Sequence, residues 1–359
     1  MSLKKRILIA PLDWGLGHAT RCIPIIRLLI KKNAEVIIAV DGRPYDLLKL
    51  EFPNLEFIRL KGYDITYPSI GPMVLKMALS VPKILSGIKA EHEALKQIIK
   101  QKKIDVVISD NRFGLWNKEV KSIFITHQLM IKSPLGEKQL HKKNLDYISK
   151  FDECWIPDTE GTDNLSGDLS HKYPLPANAF FIGALSRFSY WESRPISTGE
   201  KEEMTYDAMI IISGPEPQRG ALEFLIMKQL LLSKMKILVV MGRTEDDDTI
   251  TINQNIKMVT RMSSQEMEEA IMKSKIVIAR SGYSTIMDLA ALGKKAIFVP
   301  TPGQTEQEYL AEEFKQKKIA FFQKQSEFDI QQALIEAENY TGFEAILNTG
   351  GLEKRIDLL

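Results

Sequence analysis

The chain has 359 residues, about the length of two ordinary domains. Hydrophobic residues make up 44% and charged residues 26%, so the chain can bury substantial cores and is not a disordered protein. The formal net charge of +2 does not indicate a nucleic-acid-binding protein, and the two cysteines, Cys22 and Cys154, cannot form a disulfide framework.

The two halves of the chain carry opposite net charges. Residues 1–187 hold 28 basic and 20 acidic side chains, and residues 188–359 hold 20 and 26, so the first half suits an anionic partner. We expect a cytoplasmic protein, because two isolated cysteines suit a reducing compartment. In addition, no apolar run reaches the ~18 residues of a membrane-spanning helix, and Met1–Arg6 leads directly into a strand without a signal-peptide core.

Short β-branched runs alternate with stretches of helical period along the whole chain. Such runs, when continuously apolar, are typical of parallel sheets covered on both faces. The alternation predicts two doubly wound α/β domains. The expected strands are Arg6–Pro11, Glu35–Val40, Glu56–Leu60, Ile104–Asp110, Ser122–His127, Glu153–Pro157 and Phe180–Gly183 in the first half, and Ala208–Ser213, Lys236–Gly242, Lys257–Arg261, Ile276–Arg280, Ala296–Pro300 and Ile319–Phe322 in the second.

A polar segment without periodicity, Ser189–Met204, separates the two halves. We therefore expect a first domain over 1–187, a linker over 188–204 and a second domain over 205–340. In open parallel sheets, ligands bind beyond the carboxyl ends of the strands, so two such domains facing each other would create a cleft.

The first strand is followed by a glycine turn and a histidine. Gly15 and Gly17 permit tight turns and the close approach of a ligand, and a helical stretch follows over Ile23–Lys31. The dinucleotide fingerprint G-x-G-x-x-G is absent, because Thr20 stands where the third glycine belongs. We expect His18 at the mouth of the sheet. The alternative is a turn whose histidine caps something locally.

Asp110 ends the strand that begins at Ile104. A carboxylate at this position can orient and stabilise the imidazole of His18, which would then act as a general base toward a hydroxyl. The alternative interpretation makes Asp110 the N-cap of a following helix. Spacing alone leaves both open.

Two polar loops follow consecutive strands in the second half. The small-residue turn Arg280–Thr285 would present backbone N–H groups and hydroxyls to a phosphate, with Asp288 one turn further on to accept hydrogen bonds from ribose. The next loop, Thr301–Glu308, supplies groups that can grip sugar hydroxyls. Together, the two loops predict a site for a phosphorylated sugar.

These motifs resemble the nucleotide-sugar signature of the GT-B glycosyltransferases. The resemblance is greatest to the MurG-type N-acetylglucosaminyltransferases, which act on a lipid-linked peptidoglycan precursor, and to family 28 C-terminal domains. It is strong over Met258–Glu313 and thin elsewhere. The segments that carry it are Arg280-Ser281-Gly282-x-Ser284-Thr285-x-x-Asp288-x-Ala290-x-x-Gly293, Phe298-Val299-Pro300 and Glu306-Gln307, with Gly15–Arg21 and Ile125–Gln128 in the first half.

The resemblance implies GT-B architecture, in which two Rossmann-like domains face each other across a cleft. It also implies a terminal helix over 341–359 that returns to the first domain. On the acceptor side, His18 would be the base or an orienting residue, and Asp110 stands where related plant-type transferases keep the aspartate that partners this histidine. The implied acceptor or phosphate loop consists of Gly15, Gly17, Arg21 and His127.

On the donor side, the resemblance assigns a role to each matching residue. The backbone around Met262 and Ser264 would hold the uracil edge, and Asp288 takes the ribose-binding position with a side chain one methylene shorter than the usual Glu. Glu308 replaces a second glutamine beside the sugar-binding Gln307. The α-phosphate would contact Tyr283, Ser284 and Thr285, and the remaining donor residues are Ser213, Gly214, Arg219, Arg280, Ser281, Gly282, Gln304 and Glu306.

One segment departs from the pattern of the peptidoglycan enzymes. They have a glycine-rich phosphate loop where this chain has Ser213–Arg219, whose two prolines remove backbone donors. We expect Arg219 to replace that loop as a charge clamp, with Arg280 as a second candidate for stabilising the leaving group.

The function expected from the sequence is transfer of a sugar, such as an N-acetylhexosamine, from a UDP-sugar to an acceptor hydroxyl with inversion. The alternatives are a UDP-sugar epimerase of the same fold and a non-catalytic nucleotide-sugar-binding protein. We expect no cofactor and no metal, and interpret Asp246–Asp248 as a solvated acidic turn.

The expected partners are the donor and a carbohydrate or lipid-linked acceptor, with no nucleic acid. A cell-envelope role at the inner face of the membrane goes with this interpretation. The stretch Ile70–Lys89 is either a basic amphipathic helix that lies on an anionic membrane or a core-facing helix kinked at Pro82.

Overall fold

The computed structural model describes residues 4–63, 73–133, 136–189, 204–231, 233–243, 248–346 and 350–359, with the side chains of 73–79 excepted. These residues form two compact units. The first contains the described residues up to 187 together with 350–359, and the second contains those from 188 to 346. Most of the expected linker, residues 190–203, lies outside the described residues.

Among the described residues of the first unit, seven strands form one parallel sheet. The strands are β1 (Arg6–Pro11), β2 (Glu35–Ala39), β3 (Glu56–Ile58), β4 (Val106–Asp110), β5 (Lys121–Ile125), β6 (Glu153–Ile156) and β7 (Ala179–Phe181). Their order is β3-β2-β1-β4-β5-β6-β7, so the strand order reverses between β1 and β4. The helices are α1 (Leu16–Lys31), α2 (Gly42–Glu51), α3 (Met73–Lys102), α4 (Glu137–Ile148) and α5 (Asp168–His171).

The described part of the second unit repeats this architecture with one antiparallel edge strand. The strands are β8 (Ala208–Ile211), β9 (Ile237–Val240), β10 (Thr249–Asn253), β11 (Ile256–Val259), β12 (Val277–Ala279), β13 (Ala296–Phe298) and β14 (Phe321–Phe322), in the order β10-β11-β9-β8-β12-β13-β14. The helices are α6 (Gln218–Leu230), α7 (Ser264–Met272), α8 (Tyr283–Ala291), α9 (Thr305–Gln316) and α10 (Ile330–Ala337), with a 3₁₀ turn over Gln325–Glu327.

The prediction of two doubly wound α/β domains is confirmed, and each predicted strand is present with bounds close to those expected. The apolar residues of the inner strands are almost all buried on both faces of each sheet, which is why they form continuous runs in the sequence. The strand β10 was not predicted. It pairs antiparallel with β11 and stays largely exposed at the edge of the sheet, so its sequence alternates threonine and isoleucine without an apolar run.

The first helix begins seven residues earlier than the sequence predicts. It starts at Leu16 with Gly15 as its N-cap, so Gly17 and His18 lie in its first turn and not in a loop before it. The Thr20 hydroxyl donates to the Gly17 carbonyl, which satisfies this side chain within the helix. In consequence, His18 and Arg21, three residues apart, share one face of α1.

The end of the chain packs on the first unit. The short helix α11 (Gly351–Ile356) contacts α1, and a Cβ atom on Gly351 would lie 3.0 Å from the backbone of Ile182. Arg355 donates to Glu153 and its guanidinium lies 3.9 Å from the centre of the Phe180 ring.

The long helix α3 continues through Pro82 and exposes apolar side chains next to it. Val81 is 47% exposed and Leu85 is 50% exposed. The core-facing alternative for this stretch is therefore wrong at these two positions. In the part of the chain that the structure describes, no helix has both the length and the apolar character needed to span a bilayer.

Candidate active site

In the first unit, the site lies where the strand order reverses. Strands β1 and β4 are neighbours and pair Pro11 with Asp110, so the loop after β1 and the carboxylate that ends β4 meet at one edge of the sheet. The Nδ1 atom of His18 lies 2.9 Å from Oδ1 of Asp110. Asp110 is fully buried, whereas the His18 side chain is 19% exposed and reaches the surface.

Of the two interpretations of Asp110, the N-cap is wrong. Residues 111–120, all of them described, contain no helix, so there is no helix for this side chain to cap. The hydrogen bond to His18 is the contact predicted by the other interpretation, in which the carboxylate orients the imidazole.

The other charged residue of α1, Arg21, is also part of this site. Its Nε and one terminal nitrogen donate to the two carboxylate oxygens of Asp110, and its second terminal nitrogen lies 3.0 Å from Nδ1 of His127. Arg21 and His127 are both buried. The Arg21 side chain binds Asp110, and Nδ1 of His127 contacts Arg21, so these contacts do not support the predicted place of the two residues in an acceptor- or phosphate-binding loop.

This environment keeps Asp110 ionised. Burial alone would raise the pKa of this carboxyl, but the charge of Arg21, the neighbouring His18 and their hydrogen bonds outweigh it and hold the pKa well below its usual range. The Cys22 thiol also donates to Asp110, at 3.6 Å. Burial and the nearby carboxylate raise the pKa of this thiol well above its usual value, so it stays protonated and is not a nucleophile.

A second buried network supports the glycine turn. The Tyr63 hydroxyl donates to Glu91 at 2.8 Å, and the same carboxylate accepts from Nε of Arg112 at 2.6 Å. Trp14, in the glycine turn, packs edge-to-face on Tyr63 with ring centres 6.0 Å apart. Sequence reasoning missed this network, although Arg112 stands only two residues after Asp110.

The same turn is also held through Asp13. Its carboxylate accepts a hydrogen bond of 3.0 Å from the backbone N–H of Gly62. A Cβ atom on Gly62 would overlap the Asp13 carboxylate, so only glycine permits this approach.

In the second unit, Arg280 lies where the strand order reverses between β8 and β12. Its guanidinium is buried and donates to the carbonyls of Val299, Pro300 and Gln218, at 2.9, 3.1 and 3.0 Å. Burial lowers the pKa of Arg280 to about 10. These contacts do not support the predicted use of Arg280 as a charge for the leaving group. The side chain instead ties together the loops that follow β8, β12 and β13.

The Arg219 side chain is also engaged within its own unit. Its terminal nitrogens form ion pairs with Glu216 and Glu223 and donate to the Met241 carbonyl at 3.3 Å. Two carboxylates share its charge, so the prediction that Arg219 replaces the phosphate loop is not supported. Gly214, in the same loop, has a φ of 110°, a backbone conformation that strongly favours glycine.

The loop after β13 is braced from within. The Gln307 side chain accepts from the Thr301 N–H at 2.8 Å and donates to the Gln304 side chain at 2.7 Å. The hydroxyl of Ser281 is buried and donates to the Gln307 carbonyl, and Glu308 accepts from the Gly303 N–H. The buried Ser281 side chain is therefore not available to a ligand. The predicted sugar contact of Gln307 would use its second amide hydrogen or the second lone pair of its amide oxygen.

The remaining predicted donor residues cluster at the N-terminal turns of three helices. Gly282 is the N-cap of α8, Ser284 and Thr285 are half-buried in its first turn, and Glu306 lies in the first turn of α9. The side chains of Tyr283 and Asp288 are buried, so Tyr283 can serve a phosphate only through its backbone. Met262 and the buried Ser264 flank Ser263, whose side chain forms a capping box with Glu266 at the start of α7.

The described residues contain no group of three His, Cys, Asp or Glu side chains able to hold a metal ion. Asp246 and Asp247 lie outside the described residues. The backbone N–H of Asp248 donates to the Thr260 hydroxyl at 2.8 Å, which places this residue at the start of the hairpin formed by β10 and β11.

Comparison with known proteins assigns the second unit. Residues 222–339 match the family model described as the glycosyltransferase family 28 C-terminal domain. The match lies within the second unit and covers about a third of the chain. The resemblance expected from the sequence is confirmed by this match, and the chain is a glycosyltransferase.

Solved structures extend the fold assignment to the whole chain. The glycotransferase of kitacinnamycin has a TM-score of 0.65 at 14% identity, covering 99% of this chain and 98% of its own. SnogD of Streptomyces nogalater gives 0.62 at 11% identity with 99% of both chains covered, and MurG of Acinetobacter baumannii gives 0.56 at 14% with 99% and 98% covered. The fold is that of the GT-B glycosyltransferases. A search of curated proteins by sequence finds no match.

Proposed function

We propose that this glycosyltransferase transfers a sugar from a UDP-sugar to an acceptor hydroxyl with inversion, and that His18 is the base. The observation that carries the proposal is the contact between Nδ1 of His18, at the surface, and the buried, ionised Asp110. When Nδ1 carries a proton, it donates to Asp110, and Nε2 is the nitrogen that can accept the proton of a hydroxyl.

The chemistry is a direct displacement. The acceptor oxygen forms a bond to the anomeric carbon while the bond from that carbon to the phosphate oxygen breaks, and UDP leaves with the electron pair. Nε2 of His18 takes the hydroxyl proton, and Asp110 stabilises the imidazolium that results. One displacement at the anomeric carbon inverts its configuration.

The second unit would hold the donor. The N-cap of α8 is Gly282, which supplies no side-chain acceptor of its own, and the N-terminal turn of a helix attracts anions through its N–H groups and dipole. Ser284 and Thr285 would add hydroxyls to the same phosphate, and Met262, Ser264 and Asp288 would bind the uridine. We propose that this turn stabilises the leaving UDP without a metal or a cofactor.

The donor sugar in this proposal is an N-acetylhexosamine, and the acceptor is a carbohydrate or a lipid-linked carbohydrate of the cell envelope. Its support on the acceptor side is the excess of basic residues in 1–187 and the exposed Val81 and Leu85 beside Lys83.

Binding to vesicles that contain anionic lipid tests the proposed contact with a membrane. The Val81→Asp/Leu85→Asp variant should bind less than the wild type, and equal binding would contradict it.

The test of the proposed function is a panel of UDP-sugars, with and without acceptors, on the wild type and on His18→Ala. We expect transfer by the wild type, UDP binding tighter than AMP binding, and loss of transfer but not of UDP binding in His18→Ala. His141→Gln, a histidine of the same unit that bonds the Leu129 carbonyl, is the matched control and should keep its activity. A donor sugar converted without any acceptor would show an epimerase and overturn the proposal.

A further inference from the structure

Two side chains compete for one atom of His18. Oδ1 of Asp110 and a terminal nitrogen of Arg21 both lie 2.9 Å from Nδ1 of this histidine. A carboxylate only accepts hydrogen bonds and a guanidinium only donates them. The tautomer with a proton on Nδ1 therefore bonds to Asp110, and the tautomer with a bare Nδ1 bonds to Arg21. Only the first leaves Nε2 able to take a proton from an acceptor.

Charge decides whether the imidazole can act as a base at all. A buried carboxylate beside a histidine favours the imidazolium, which has no site left for a proton. Arg21 binds both oxygens of Asp110, so the Arg21–Asp110 pair is close to neutral. The nearly neutral pair attracts a proton to His18 far less than a lone Asp110 would.

We propose that Arg21 is a positioning residue for the base: it fixes Asp110 and offsets the negative charge with which this carboxylate would otherwise hold a proton on His18. The inference rests on the proposed function, in which His18 is the base. Arg21 itself touches no substrate, because it is buried and acts through Asp110 and His18.

His127 contacts the terminal nitrogen of Arg21 that does not bind Asp110. Because the guanidinium can only donate, Nδ1 of His127 must accept the hydrogen bond from Arg21 and carries no proton in this contact. The backbone carbonyl of His127 accepts from the Ser170 hydroxyl at 2.6 Å, which anchors it. In the part of the chain that the structure describes, the titratable or charged groups in contact with His18 are Asp110 at the end of β4 and Arg21 on the same helix, and His127 and Cys22 contact these two in turn.

Two substitutions separate charge from shape. Arg21→Met removes the charge, so a larger fraction of His18 should be protonated at neutral pH and the acidic limb of the kcat/KM profile should move to higher pH by about 1–3 units. At pH 7 the activity should fall ~10- to 10³-fold, recover as the pH rises, and leave the KM for the donor unchanged. Arg21→Lys keeps the charge, so its profile should stay in place while kcat falls by about tenfold through the lost bidentate geometry.

Arg27→Met is the matched control. It removes another arginine of α1, whose side chain is 17% exposed, together with its ion pair with Glu51, so it reproduces the loss of a partly buried charge without touching His18. We expect no movement of its pH profile. Where Arg21→Met fails to fold because Asp110 is left unpaired, the double variant Arg21→Met/Asp110→Asn removes both charges. The acidic limb of its kcat/KM profile should lie at nearly the same pH as that of the wild type. A variant that keeps Asp110 without Arg21 should have its acidic limb at a higher pH.

The protonation of His18 can be read without any transfer reaction. In protein labelled with ¹⁵N-histidine, His18→Gln identifies the His18 signals, and their shifts report the charge of the ring across pH. An increase in the charged fraction of His18 at pH 7 in Arg21→Met supports the inference. An unchanged fraction overturns it. A wild type that transfers no sugar from any UDP-sugar overturns the proposed function, and the two failures are therefore distinguishable.

Discussion

The two units share one architecture but place different chemical groups at the point where the strand order of the sheet reverses. In each sheet, the strand order reverses once, between β1 and β4 in the first unit and between β8 and β12 in the second. The first unit places ionised groups there, with His18 at the surface above Asp110 and Arg21. The second unit places the buried Arg280 against backbone carbonyls and leaves helix N-termini and small polar residues at the surface.

This difference matches the two tasks of a sugar transfer. Proton transfer needs a titratable group with a defined partner, whereas binding of a diphosphate needs oriented donors that do not titrate. The comparison predicts that substitutions in the first unit change catalysis and its pH dependence, and that substitutions in the second change donor affinity.

The largest effect is expected for His18→Ala. Loss of the base should lower kcat by ~10²- to 10⁴-fold while the dissociation constant for UDP stays within about twofold of the wild type. Steady-state kinetics with isothermal titration of UDP measure both. A parallel loss of kcat and UDP affinity would contradict the assignment of catalysis to the first unit and of donor binding to the second.

Asp110→Asn should be the most destabilising change in the first unit. It leaves Arg21 buried without its carboxylate, at a cost of about 3–5 kcal/mol in the free energy of unfolding. Because the folded-state pKa of Asp110 is depressed, its contribution is present above the unfolded pKa of about 3.9 and is lost as the pH falls below it.

The difference in stability between wild type and Asp110→Asn should therefore be full at pH 7 and shrink below pH ~4. Urea unfolding followed by the fluorescence of Trp155, which is buried in the first unit, measures it. A difference that grows as the pH falls would contradict the ion pair.

Arg280→Met should weaken donor binding without touching the base. It removes the hydrogen bonds to the carbonyls of Val299, Pro300 and Gln218 and loosens the loops around the α8 N-terminus. Each buried carbonyl left without a donor costs about 1–3 kcal/mol. We expect a loss of UDP affinity of about tenfold or more and an unchanged pH profile of kcat. An Arg280→Met protein with normal UDP affinity would show that these loops do not form the donor site.

The smallest effect is expected at the docking of α11. Glu153 accepts from Arg355, Lys121 and Trp155, and despite its burial these contacts lower its pKa to about 2. Glu153→Gln should cost about 1 kcal/mol in unfolding of the first unit at pH 7. Since the pKa of Glu153 is depressed, this difference should disappear between pH ~4.3 and pH 2. Urea unfolding at pH 7 and pH 3 checks it, and UDP affinity should not change.

The sequence predicts the strands well, because a strand buried on both faces must be continuously apolar wherever it occurs. The bounds of β1 are the same in sequence and structure. Pattern reasoning fails at β10, whose exposure removes the apolar signal, and at the start of α1, where Gly17 suggests a turn although the helix has already begun.

The fate of the charged residues could not be predicted in the same way. The resemblance placed Arg21 in an acceptor or phosphate loop, and Arg280 was expected to stabilise the leaving group. Both are buried instead, and their partners lie far away in sequence: Asp110 is 89 residues from Arg21, and Val299 is 19 from Arg280. Only the tertiary structure decides which charge is desolvated and which partner compensates it.

The most direct test of direct displacement with His18 as base is the anomeric configuration of the transfer product. Proton NMR of the glycoside formed by the wild type from an α-linked UDP-sugar gives it through the coupling constant of the anomeric hydrogen. The account predicts a β-glycoside. An α-glycoside would mean that the configuration is retained, and a single attack by a hydroxyl activated at His18 could not produce it.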